Sequence, residues 1–182
     1  MDLLGSAYTD KCLTEQELVA TVSAAADAMA PDGRRILAII PDHTRTCPLP
    51  RIVRALHASL AGRATALDFL IALGTHPPLS EDQIDRLLGI EPGQRESVLP
   101  GSRVFNHDWK SPEALRKIGT IPAGRIDEIT AGLFAMDVDV TLNRLVFDYD
   151  QALVVGPVFP HEVAGFSGGA KYFFPGICGE AL

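Results

Sequence analysis

RRILAIIPDHTRTCPLPRIVRALHASLAGRATALDFLIALGTH, residues 34–76, reads as two buried strands with a helix between them. Arg34 to Ile40 ends in an unbroken apolar run rich in isoleucine, the pattern of a strand covered on both faces. A polar loop, PDHTRTCPLP, follows, and then RIVRALHASLAG has the character of a helix ended by Gly62. Ala64 to Leu73 is a second buried strand, after which Gly74 to Pro78 turns the chain. Strands separated by helices predict a mostly parallel α/β sheet flanked by helices, with right-handed crossovers.

The flanking sequence continues this alternation. Thr14 and Glu17 form a capping box for a helix running to about Ala30, stopped by Pro31 and Gly33. Downstream, Ser80 and Gln83 cap a helix that Gly89 ends. Ser102 to Asn106 is a candidate third strand, and Ser111-Pro112 begins a brief helix. The alternation in DVDVTL predicts strands on a half-exposed sheet between Lys117 and Asn143. Gln151 to Val155 is the last buried strand. Repeats and a convincing linker are both lacking, so residues 1–182 read as one Rossmann-like domain.

Bulk properties narrow the function. An apolar fraction of 47% and a mean hydropathy of +0.15 suit a compact globule, and no apolar run has membrane-spanning length. The net charge is −7 and no Lys/Arg cluster interleaves with aromatics, which argues against nucleic acid or an anionic membrane as partner. Residues 1–12 lack an export-signal pattern. Three unevenly placed cysteines, Cys12, Cys47 and Cys178, suggest reduced thiols and a cytoplasmic protein.

The chemistry gathers after the strands, where parallel α/β sheets bind ligands. Asp42, His43, Thr44 and Arg45 follow the first strand, and Gly74-Thr75-His76 follows the second. Asn106-His107-Asp108 follows the third. PHEVAGFSGGAKYFFPG, residues 160–176, follows the last. In that stretch Gly165, Gly168 and Gly169 permit positive φ and a close backbone approach to a ligand. Lys171 directly after them can neutralise a phosphate or, deprotonated, bond to an electrophile. Walker A is excluded, since Tyr172 stands where a Ser or Thr would bind magnesium. The histidine spacings match no common zinc pattern. His43 and His107 receive no role, and Cys47 reads as inert.

Together these segments resemble the N-terminal domain of the nickel-dependent lactate racemase family. The resemblance rests on Asp42-x-Thr44-Arg45-x-x-Pro48, Gly74-Thr75-His76, Asn106-His107-Asp108 and Pro160-His161 through Gly165-Phe166-Ser167-Gly168-Gly169-x-Lys171 to Pro175-Gly176. It implies a racemase or epimerase of a 2-hydroxy acid that uses a nickel-pincer nucleotide. Lys171 matches the covalent tether, with Gly168, Gly169, Ser167 and Thr44 expected around the cofactor. His76 and His161 match the acid/base pair, and Arg45 and Asp42 the residues near the substrate. No histidine follows Lys171, so a nickel-ligating histidine and a second domain are expected beyond residue 182. The chain by itself is then a fragment expected not to racemise.

Histidine suits this work because its ordinary pKa lets it accept and release a proton near neutrality, and two enantiomers require a base on each side. Two other readings compete. The glycine stretch and Lys171, with Arg45 as clamp, could hold a nucleotide or phosphorylated metabolite without chemistry. Alternatively, exposed apolar surface at Tyr172, Phe173 and Phe174 could dock a partner subunit.

Overall fold

The structure, a computed structural model, describes residues 4–161 and 165–181. The rest of the glycine-rich stretch, residues 162–164, lies outside them, as do residues 1–3 and 182. In chain order the elements are α1 (Glu15–Ala28), β1 (Arg35–Pro41), α2 (Leu49–Leu60), β2 (Ala66–Ala72), α3 (Glu81–Leu87), α4 (Arg95–Val98) and β3 (Val104–Asn106). Then come β4 (Leu115–Ile121), α5 (Ala123–Ile129), β5 (Val138–Asn143) and β6 (Gln151–Val154). Short 3-10 turns span Pro112–Ala114, Arg144–Asp148 and Gly169–Tyr172.

β1, β2, β3 and β6 form one sheet in the order β3-β2-β1-β6, with every neighbouring pair parallel. β4 and β5 form a separate antiparallel pair. The alternating pattern in 117–143 thus belongs to a ribbon beside the main sheet, and α5 lies inside what reads as strand sequence. α2 begins at Leu49, two residues before Arg51 where the sequence reading starts it, with Leu49 buried and Pro50 in its first turn. Proline is tolerated there because that N–H has no intrahelical partner. The capping boxes at Thr14/Glu17 and Ser80/Gln83 both form.

The apolar run of β1 is divided between two cores. Ile36, Ala38 and Ile40 face α1, α2 and α3, packing with Ala26, Val53, Leu56 and Ile84. Leu37 and Ile39 face the other side, where Leu142, Tyr172, Ile177 and Cys178 cover them. The second face is therefore closed by the end of β5 and the segment after the glycine stretch. This corrects the expectation of an exposed docking face at residues 172–174: Tyr172 is buried, and Phe173 and Phe174 pack against the same core.

Candidate active site

The chain runs from β1 to β2 and β3 on one side, then returns to place β6 on the other side of β1. The connections diverge between β1 and β6, which in such sheets opens a crevice at the carboxyl ends of the strands. A cavity of about 350 Å³ lies there. Its walls come from three segments: Asp42 to Arg45 after β1, Gly74 to His76 after β2, and, after β6, Pro157, His161 and residues between Ser167 and Gly176.

The β1 and β2 segments are joined by Asp42, which is buried at 4% exposure. One carboxylate oxygen accepts from the Thr44 backbone N–H at 3.0 Å and from Thr44 Oγ1 at 2.5 Å. The other lies 2.5 Å from His76 Nδ1. Burial pushes the Asp42 carboxyl up, but the hydrogen bonds from Thr44 and His76 outweigh it and leave the group below the usual carboxylate range. An ionised carboxylate only accepts, so His76 Nδ1 carries a proton, which in the neutral ring leaves the lone pair on Nε2. Arg45 is exposed on the same wall and makes no ion pair with a described residue.

The third wall folds back on itself. The His161 N–H donates to Gly165 O at 2.7 Å, and the Ser167 N–H donates to Phe159 O at 2.9 Å. Ser167 is buried, and its Oγ accepts from Phe159 N and donates to Phe159 O, both at 3.2 Å. Its hydroxyl thus braces the loop. Gly168 has φ +82°, and a Cβ there would stand 2.7 Å from Pro157 O, so this turn excludes a side chain. Lys171 and His161, both half-buried, line the cavity with Ser167 and Gly168. Gly169, expected around a cofactor, is exposed and outside the lining; its φ of +54° starts the 3-10 turn that carries Lys171.

Of the four histidines that follow strands, His76 and His161 reach the cavity. His43 borders a separate depression with Gln83, Arg86 and Leu87. His107 is buried at 1% exposure beneath the site. Its Nε2 donates to Cys178 O at 3.0 Å, and its Nδ1 accepts from Asn143 Nδ2 at 3.1 Å. Burial holds its pKa below the ordinary value, against the Cys178 carbonyl and Asp108, so the ring is neutral. Asn106 clamps Leu79 through both its amide atoms, at 3.1 and 2.8 Å. The Asn106-His107 pair is therefore scaffold. Cys47 is half-buried, and burial raises its thiol pKa.

Two residues on or behind the wall escape a reading by motif. Tyr172 lines the cavity, and Gly156 leaves room for its ring. A glycine directly after a strand that reads as buried, though β6 lies half-buried at the sheet edge, was the available signal for that close approach. Among the described residues no group of three or more His, Cys, Asp or Glu side chains is placed to hold a metal ion. Nor is any helix there long and apolar enough to cross a membrane.

The lactate racemase N-terminal domain family matches residues 14–182. The chain is 28% identical over 153 residues to a lactate racemase from Thermoanaerobacterium thermosaccharolyticum. It is 27% identical over 155 residues to one from Lactiplantibacillus plantarum. It spans about a third of these curated relatives, 31% and 32% of their lengths. A Thermotoga maritima protein of known crystal structure superposes with TM-score 0.81 at 30% identity, covering 93% of this chain and 39% of its own. The lactate racemase apoprotein from T. thermosaccharolyticum superposes with TM-score 0.68 at 23% identity, over 91% of this chain and 37% of its own, a likeness of fold.

Proposed function

The chain belongs to the lactate racemase N-terminal domain family, and from that premise we propose that its cleft is the cofactor-tethering and acid/base part of a racemase or epimerase for a lactate-like 2-hydroxy acid. One observation carries the reading: Arg45, His76, His161 and Lys171, from three loops, line a single cavity. Each has chemistry that such a reaction uses.

The residues suit a nickel-pincer nucleotide. Lys171 presents an amine for covalent attachment, Gly168 leaves the adjoining wall without a side chain, and the volume is that of a small-ligand site. Bound there, that group supplies the acceptor for the hydride leaving the substrate α-carbon. Arg45 holds the substrate carboxylate through two parallel hydrogen bonds and so fixes the α-carbon. His76 takes the hydroxyl proton at Nε2, because Asp42 keeps the other ring nitrogen protonated and the ring oriented. Asp42 thus serves the substrate through His76. His161 does the same work for the opposite enantiomer, returning a proton to the oxygen when the hydride returns to carbon.

The test is intact mass after co-production with the enzymes that assemble the cofactor. The unaltered chain is expected to carry a stable mass increment, and Lys171→Ala to lose it. An adduct unchanged in the variant refutes the tether. Reversible nucleotide binding without any adduct favours a non-catalytic module.

A further inference from the structure

Tyr172 has no task in that chemistry, yet it is built into the cleft. It ends the 3-10 turn that carries Lys171, lines the cavity and is only 7% exposed. Its ring occupies the place a side chain would take at Gly156: a Cβ there would lie 1.6 Å from Tyr172 Oη and 2.4 Å from the ring carbon that bears it. Buried tyrosine hydroxyls normally have a partner. Tyr149 is satisfied in this way, its hydroxyl donating to Asp68 Oδ2 at 2.5 Å. Tyr172 Oη makes no hydrogen bond with any described residue. It is also not sealed in the core, since the one fully enclosed, unpartnered side-chain atom among the described residues is Gln151 Oε1. The oxygen therefore keeps some exposure, on a side chain that lines the cleft.

Its surroundings define what it would meet. Burial first, then the proximity of Cys47 and Asp42, push the phenol up to about 12 against the opposing effect of Arg45. The group stays protonated at neutral pH and can donate. Asp42 is already engaged by Thr44 and His76, whereas Arg45 has no ion pair with a described residue. A guanidinium and a phenol O–H on facing walls of one cavity suit an anionic oxygen.

We propose that Tyr172 Oη and Arg45 form an oxyanion subsite in the cleft, with the tyrosine donating a hydrogen bond to an oxygen of the carboxylate or phosphate that Arg45 holds. The subsite stands on the geometry of Tyr172; only the choice between the two anions rests on the racemase reading. Tyr172 is a specificity-determining residue, because an apolar group at the same position would leave the hydroxyl without an acceptor.

Calorimetric titration of the 182-residue chain with L-lactate and, separately, with inorganic phosphate tests this. Tyr172→Phe keeps the ring against Gly156 and removes only the oxygen. It is expected to raise the Kd of the bound anion about tenfold with the melting temperature unchanged. Arg45→Gln is expected to weaken the same anion at least as much. Loss confined to lactate identifies a carboxylate subsite, and loss confined to phosphate a phosphate subsite. Equal affinity in Tyr172→Phe and the unaltered chain overturns the proposal, as does saturable binding of neither probe. If Arg45→Gln alone loses lactate, the tyrosine is excluded while the substrate role of Arg45 survives.

Discussion

Replacing His107 by phenylalanine keeps an aromatic ring beneath the cleft but deletes both of its side-chain hydrogen bonds. The partners left behind are the Cys178 carbonyl and the Asn143 amide, in residues 4% and 3% exposed. Each loses a bond that water cannot replace, at about 1–3 kcal/mol per buried group. The added apolar ring returns part of this, so the net loss should be about 2–4 kcal/mol. For a domain of this size that lowers the melting temperature by roughly 5–15 °C. The variant also tests the protonation state. Burial sets the folded pKa of His107 below its unfolded value near ~6.5, so below that pH the unfolded chain binds more protons. The contribution of His107 is fully present above about pH 6.5 and falls as pH drops toward the folded pKa. Urea midpoints of the two chains, measured from neutral to mildly acidic pH, should therefore converge on acidification. A loss under about 1 kcal/mol, or a difference that does not change with pH, refutes a neutral imidazole pillar.

Two further substitutions probe the cleft walls. Gly156→Ala drives a methyl group into Tyr172 and should cost about 1–3 kcal/mol in a denaturant series; an unaltered midpoint would show that the ring does not occupy that notch. Asp42→Asn removes the carboxylate that selects the His76 tautomer, so ring-nitrogen NMR should show a single Nδ1-protonated form in the unaltered chain and a mixture in the variant; a mixture in both refutes the assignment.

Much of this fold is legible in the sequence because its strongest signals are local. The runs in β1 and, apart from the buried Asp68, β2 are apolar on both faces, which only a strand covered twice requires. Both capping boxes form where Thr14/Glu17 and Ser80/Gln83 indicate. α5 is hidden because AGRIDEI carries no cap and buries no residue, so neither a terminus nor a periodicity marks it. The positions of the site residues follow from strand order, which places β6 beside β1, but their partners do not. Nothing near His107 signals contact with Asn143 and Cys178, 36 and 71 residues away. Likewise nothing near Asp42 signals that His76, 34 residues on, takes one of its oxygens.

These long-range partners make the cleft cross-braced, with each loop held by another loop as much as by its own strand. Asp42 and His76 tie the loop after β1 to the loop after β2. The Gly74 N–H donates to Gly176 O at 2.9 Å, tying the β2 loop to the segment beyond Lys171. That segment is secured to β5 by the Asn143 N–H on Ile177 O at 2.8 Å, and from below by His107 on Cys178. Tyr172 closes the circuit against Gly156 at the end of β6. Groups that share a bond respond to mutation jointly, so losses at Asp42 and His76, and likewise at His107 and Asn143, should combine non-additively in a double-mutant cycle of urea midpoints even though the residues belong to different segments. The same bracing fixes residues with so little local structure of their own, as the proposed proton transfer requires, since it needs positioning on the scale of a hydrogen bond.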